Sequence, residues 1–331
     1  MSQQRNHVPA GSELKRFGLL RRCAPPLLIL AAFSGAAGFQ VARLKSFRFN
    51  LDNPAPVHAA LFSSSSSSSS AAPISEARKA EYAELNRLSP QKQAERLLER
   101  AIQHQEEPLR LIPQYVEGWR GRLQETDLLF DLVLSALKSE DLSVRTAALE
   151  IDLAANNLSK TPKSIARLVE QIRNDPANRP LALWRLGALG NRGVEQQTVL
   201  TNLLAYVRDR NENTRYWAVE GLAMLGTDDT LDPLLDRFAH DASPRVRERA
   251  ACSLAKSGMF TNEQRFSTVP ALLNFLDDDS LDSTTRGWVY AALRVITGAA
   301  VGNDANAWRN WWMHHDEARK PASRPAGTLL A

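Results

Sequence analysis

One outline recurs five times along this chain and restricts its fold more than any other feature. VRTAALEIDLAAN, NRPLALWRLGALG, NENTRYWAVEGLAMLG, VRERAACSLAKSG and TRGWVYAALRVIT superpose on a shared arginine, at Arg145, Arg179, Arg215, Arg247 and Arg286. The anchors lie 34, 36, 32 and 39 residues apart, a period that belongs to stacked helical pairs. Three residues after each anchor stand Ala148, Ala182, Ala218, Ala250 and Val289. Four after stand Leu149, Leu183, Val219, Ala251 and Tyr290, and seven after stand Asp152, Leu186, Leu222, Leu254 and Leu293. Offsets of three, four and seven share one helical face. The small residue lets two helices approach, and the leucine fills the deeper space. Eleven residues after the anchor, Gly190, Gly226 and Gly258 are expected in the left-handed conformation that ends a helix.

An apolar helix precedes each anchored one. Its stripes are Leu128, Leu129, Leu132 and Val133; Ile165, Leu168, Val169 and Ile172; Val199, Leu200, Leu203 and Leu204; Leu231, Leu234, Leu235 and Phe238; and Val269, Leu272, Leu273 and Leu276. Polar turns such as Ser139-Glu140-Asp141 and Asp241-Ala242-Ser243-Pro244 join the partners. Their acids and hydroxyls cap the free amides of the helix that follows and favour its dipole. One such pair cannot bury its own apolar face, whereas stacked copies supply one another's core. The expected fold is all-α: a right-handed α-α superhelix of about five helical pairs with a helical cap at each end.

A leucine-rich helix, a turn with Asp, and then V-R-x-x-A-A-x-x-L-x-x-x-G resembles the HEAT repeat family. Val144-Arg145, Ala147-Ala148, Val246-Arg247, Ala250-Ala251, Leu254 and Gly258 carry the likeness, which covers about residues 125–300. It implies the solenoid and leaves the function open. Some proteins of this appearance attach bilin chromophores, and others are alkylated-base DNA glycosylases. Two positions depart from the pattern. Asp152 stands where a leucine is expected, beside Ile151 and Leu153, and reads as a small rotation of that helix, the alternative being a polar residue buried between repeats. Pro180 follows its arginine directly, which a helix tolerates in its first turn.

Residues 1–22 are basic, and 23–42 carry no charge. That arrangement reads as a signal peptide or a single membrane anchor, and either places the remainder outside the cytoplasm. Residues 43–74 contain the unbroken run Ser63–Ser70 and read as a flexible linker. An N-terminal helical cap is expected over 75–124, the repeats over 125–300, a tryptophan-rich cap helix over 301–317 and a tail over 318–331. Trp308, Trp311 and Trp312 share one face of that last helix.

The formal charge of +4 is misleading. Residues 1–60 hold eight Lys or Arg and two acids, leaving 33 bases against 35 acids in the rest. The folded part therefore lacks the positive field that nonspecific nucleic-acid binding needs, and a nucleic-acid partner is not expected. Cys23 and Cys252 cannot make a disulfide framework, and Cys252 reads as a small packed residue. There is no glycine-rich phosphate loop, no G-x-S-x-G and no H-E-x-x-H. Asp277-Asp278-Asp279 with Asp282 lacks the oxygen spacing of a calcium loop. His314-His315 read as ordinary tail residues. Neither a metal, a cofactor nor a catalytic residue is expected.

The remaining candidates are aromatic and charged. Trp217 and Trp288 hold the same repeat position, Tyr216 adjoins the first, and Trp184 lies one turn further on in its own repeat. If the second helices line the concave side, Trp184, Tyr216, Trp217, Glu220, Arg247, Glu248 and Trp288 form a groove for a protein or peptide. The alternative is that each tryptophan fills the gap between neighbouring repeats. For Arg145, Arg179, Arg215, Arg247 and Arg286 the alternative is structural, a ladder to the acid of the preceding turn. The expected function is a non-enzymatic interaction scaffold, exported or tethered. A lyase or lyase subunit, and a structural spacer of the envelope, are the competing readings.

Overall fold

A computed structural model of the chain describes residues 76–319, so the basic segment, the signal or anchor, most of the linker and the end of the tail lie outside the described residues. Two compact units divide it. Helix α1 (Glu76–Arg87) belongs to one, and everything described from Pro90 onward belongs to the other. The expected 75–124 cap is thus divided at residue 89.

In the larger unit the elements are all helical: α2 (Pro90–Ile102), α3 (Glu106–Trp119), α4 (Asp127–Leu137), α5 (Leu142–Ala155), α6 (Pro162–Asn174), α7 (Arg179–Asn191), α8 (Gln196–Tyr206), α9 (Glu212–Leu225), α10 (Leu231–His240), α11 (Pro244–Cys252), α12 (Asn262–Ser267), α13 (Val269–Phe275), α14 (Ser283–Thr297) and α15 (Ala305–Arg319). The five anchored segments are α5, α7, α9, α11 and α14. Their partners α4, α6, α8, α10 and α13 pack on them in turn, and α7 stacks on α9, α9 on α11 and α11 on α14. The larger unit is an α-solenoid of helical pairs.

Local chemistry sets the helix starts. Asp141 accepts the Ser143 amide at 2.8 Å to open α5, Asn211 the Thr214 amide at 3.0 Å to open α9, and Asp282 the Thr285 amide at 2.7 Å to open α14. Each satisfies one amide that the first helical turn leaves without a partner. Pro162, Pro180 and Pro244 occupy the first turns of α6, α7 and α11. Between α11 and α12 the chain makes a π turn, Ser253–Ser257, closed by the Gly258 amide on Ser253 O at 2.9 Å.

The glycines at offset eleven divide by function. Gly226 does end α9 in the left-handed conformation, at φ 64°, and Gly298, at offset twelve, ends α14 at φ 69°. Gly190 and Gly258 do not. Gly190 lies inside α7, where a Cβ would meet Leu225 Cδ1 at 2.7 Å; Gly258 is extended, and a Cβ there would meet the Phe260 ring. Those two glycines provide space rather than backbone freedom. A pair outside the motif does the same more strictly. A Cβ on Gly187 of α7 would overlap Gly221 O of α9, and one on Gly221 would sit 2.6 Å from Leu183 O. The α7–α9 stack is a backbone-to-backbone approach that only glycine permits.

Two other expectations shift. Leu128 and Leu204 face out of their stripes, while Val133, Leu134 and Leu137 complete the buried face of α4. Asp152 is not turned away by a rotation of α5. It is buried between repeats, with Arg185 Nε of α7 at 3.3 Å from Oδ2. Trp119 of α3 is fully buried and donates Nε1 to Gln93 Oε1 at 2.8 Å. Trp308 of α15 is fully buried and donates to Gly302 O at 2.9 Å. The last helix continues to Arg319, beyond the expected start of the tail.

Candidate functional site

The anchoring arginines make the frame on which any surface is displayed. Four of them reach a carbonyl of the turn just before their own helix: Arg145 Nη1 to Ser139 O at 3.1 Å, Arg215 Nη1 to Asp209 O at 2.9 Å, Arg247 Nη1 to Asp241 O at 2.7 Å and Arg286 Nη2 to Asp278 O at 3.0 Å. Arg179 donates Nε to Ile172 O at 2.7 Å, the same role one turn earlier. The ladder therefore runs to carbonyls of the preceding turn, not to its acid. The acid comes from the repeat ahead. Arg215 makes a two-pronged contact with Asp241, Nε at 2.9 Å and Nη2 at 3.0 Å, and Arg247 holds Asp282 at 2.6 Å and Thr285 Oγ1 at 2.9 Å. Each such arginine ties two consecutive repeats together. The side chain of Asp241 is fully buried and also accepts the Ser243 amide at 2.9 Å, whereas that of Asp282 is 53% exposed. The Asp241 hydrogen bond raises the Arg215 pKa.

On this frame the seven groove residues separate. Trp184 and Trp217 are buried, and Glu220 is sealed against Arg249 in an ion pair between α9 and α11. Burial pushes the Arg249 guanidinium down to about 10, and Arg249 Nη2 donates to Ser257 Oγ at 2.9 Å. These residues fill the space between helices, because offset five on α7 and offsets two and five on α9 turn into the stack. They cannot line an open groove, which corrects that part of the reading. Tyr216 is buried beneath Arg245, whose guanidinium carbon sits 4.1 Å above its ring. Arg247, Glu248 and Trp288 are half-buried. What remains at the surface is a rim on the first turns of α9, α11 and α14: Arg245 over Tyr216, then Arg247, Glu248 and Trp288. Among the described residues no ring contact joins Trp288 to Trp217 or Trp184.

Among the described residues, two clefts lie elsewhere. One of about 260 Å³ opens between α3 and α5, with walls from Leu109, Ile112, Pro113, Leu142 and Ala147 and with Glu150 and Arg192 at one side. Glu150 is buried and takes Arg192 Nε at 2.7 Å and Lys160 Nζ at 3.2 Å. The other, wide open and about 590 Å³, lies on α15 beside Trp311, His314 and His315. His315 stacks on Trp311 with ring centres 4.8 Å apart and also meets Phe266. It belongs to the aromatic cap, not to a loose tail. Cys252 is buried and is not a free thiol, so it offers no nucleophile. The acidic run after α13 is used locally: Asp282 caps α14, Asp278 accepts Ser280, and Asp277 pairs with Arg309.

Sequence reasoning found the anchors and missed their acids, because Asp241 serves a repeat other than its own. It also missed Glu150, Arg249 and Arg265, which stand outside the repeated positions.

Residues 165–255 match the family model for HEAT repeats. Over 130 residues, 38% of this chain, it is 32% identical to the bilin biosynthesis protein RpcF of Synechococcus sp. (strain WH8020). The match spans 59% of that protein's length. No solved structure matches.

Proposed function

The chain carries HEAT repeats, and from that premise we propose that it is a non-enzymatic scaffold that binds a protein or peptide on the rim formed by α9, α11 and α14. The observation behind this reading is the rim itself. Arg245, Glu248 and Trp288 project from helices whose spacing is fixed by the Arg215–Asp241 and Arg247–Asp282 contacts. Arginine and tryptophan on a rigid support are the residue types that anchor interfaces. The near-neutral charge of residues 61–331 favours protein over nucleic acid as the partner. Glu248→Arg with Trp288→Ser should abolish capture of a stoichiometric partner by the tagged full chain while leaving it folded, with Arg245 still over Tyr216 and paired with Glu212. Capture that persists in this folded variant overturns the rim as the binding surface.

A second reading rests on the likeness to the bilin biosynthesis protein: a subunit that acts on bilin chromophores, with the pigment held at the repeats. Adding a linear tetrapyrrole to the purified chain should then shift and sharpen its visible absorption at equimolar ratio. An unchanged spectrum rejects it. We also propose that residues 23–42 export or tether the chain. Among the described residues no helix is long and apolar enough to cross a membrane, and residues 23–42 are not among them. A C-terminal reporter active only outside the cytoplasm tests this, and a stable but silent fusion refutes it.

A further inference from the structure

The cleft of about 260 Å³ has two unlike walls. On α3, Leu109, Ile112 and Pro113 stand at offsets of zero, three and four and make an apolar one. On α5, Ser143, Thr146 and Glu150 stand at offsets of zero, three and seven and make a polar one. Those offsets keep each set on one side of its helix. Among the described residues neither the Ser143 nor the Thr146 hydroxyl has a hydrogen-bond partner.

Glu150 is spent within the protein. Its Oε1 takes Arg192 Nε at 2.7 Å and Lys160 Nζ at 3.2 Å, and its Oε2 takes Lys160 Nζ at 3.2 Å. The effect is to aim Arg192, which closes α7 and donates its amide to Leu189 O at 3.0 Å. Backbone and Nε are thus both held, and the outer edge of the guanidinium is left over. Arg192 lines the cleft, and among the described residues neither Nη1 nor Nη2 meets an acceptor. The other arginines between repeats differ. Arg265 of α12 gives its Nη donors to the carbonyls of Ser253, Leu254, Lys256 and Gly258, and Arg145 Nη1 joins Ser139 O to Lys256 O across the stack. Both are buried, and neither lines a cleft described above. Two cations against one carboxylate leave a single positive charge at the Lys160–Glu150–Arg192 cluster.

We propose that this cleft binds a small monocarboxylic acid, its carboxylate on the Nη1–Nη2 edge of Arg192 and its hydrocarbon body against Leu109, Ile112 and Pro113. A monoanion balances the single excess charge, and a planar carboxylate matches a guanidinium edge oxygen for nitrogen. The Ser143 and Thr146 hydroxyls can donate to the same oxygens. A volume near 260 Å³ is about nine times the share of one water, which admits about eight to ten non-hydrogen atoms. Benzoate and 4-methylpentanoate have that size. The site shares no residue with the rim on α9, α11 and α14.

The test titrates benzoate and 4-methylpentanoate into the full chain at constant ionic strength and neutral pH, with binding read by calorimetry and by ligand-observed NMR. Saturable binding at one site is expected, with a dissociation constant of about 0.1–5 mM for so small a ligand. Benzamide and 4-methylpentanamide, equal in shape and without charge, should bind about tenfold more weakly or worse, because a charged hydrogen-bonded pair is lost. Acetate, which has the charge and no body, should also bind about tenfold more weakly. Arg192→Lys keeps the charge and loses the fork, and it should weaken the acids about tenfold. Thr146→Val should weaken them about threefold, and Arg309→Lys on α15 should leave them unaltered. Wild-type protein that binds neither acid saturably, or binds acid and amide alike, overturns the proposal without any variant. So does a folded Arg192→Lys protein that binds the acids as wild type does.

Discussion

Removing the carboxylate of Asp241 should cost far more than removing that of Asp282, although both occupy the same place in the ladder. The Asp241 side chain is wholly out of water, accepts two bonds from Arg215 and one from the Ser243 amide, and stands 3.5 Å from Arg237 Nη1. Asp241→Ala leaves two guanidiniums, at 13% and 14% exposure, facing a cavity without their anion. Breaking a buried pair from one side costs about 3–5 kcal/mol. Asp282 pairs with Arg247 at the surface, where the ion pair is worth about 0.2–1 kcal/mol, and its cap of α14 adds about 1 kcal/mol. Asp282→Ala should therefore cost about 1–2 kcal/mol. Urea unfolding of the two variants measures the difference. A double-mutant cycle of Asp241→Asn with Arg215→Met isolates the contact, with a coupling of about 1–3 kcal/mol expected. Equal losses within about 0.5 kcal/mol, or a coupling below that figure, would show that burial does not set the strength of the ladder.

Three further outcomes follow from the packing. Gly187→Ala drives a methyl into Gly221 O and should destabilise by about 1–3 kcal/mol or more, whereas Gly287→Ala, with nothing within 4 Å of its added carbon, should stabilise α14 by about 0.4–1 kcal/mol; thermal melts separate the two. Trp184→Ala and Trp217→Ala should each cost about 3–5 kcal/mol and Trp288→Ala clearly less, and denaturant titration showing equal losses would return all three to one environment. Burial holds the Asp152 carboxyl above its ordinary value of 3.8, Arg185 opposing it. The folded state thus binds that proton more tightly, so its contribution is complete below about pH 3.8 and declines as pH rises through the shifted value. Asp152→Asn should remove that decline, and parallel pH–stability curves for the two proteins would contradict it.

The repeated helices were legible because their signal is local. An arginine, a small residue and a leucine at fixed offsets specify one face, and that face is buried in α5, α7, α9, α11 and α14 alike. The turn acids were legible as caps for the same reason. What escaped was whatever depends on a residue's opposite number in another repeat. Glycine at offset eleven makes room for a neighbour at Gly190, Gly226 and Gly258 alike, and only Gly226 adds a left-handed backbone, a difference that the period does not carry. Trp184 and Trp217 read as a groove because aromatic residues suit both cores and interfaces, and the depth of the α7–α9 approach, set by Gly187 and Gly221, decides for the core. Arg265 lies between motifs, so nothing in the period points to it.

The bond from Arg145 to Lys256 O spans 111 positions of sequence. A linear array held only by adjacent units can melt from its ends, each unit opening with its own free energy. Here the first unit is latched to the fourth, so neither can peel away without releasing the other. Amide protons at the start of α5 and in the Ser253–Ser257 turn should consequently exchange with solvent in one shared event. Deleting the last two repeats should loosen the first one as well, even though the helices between them remain in place.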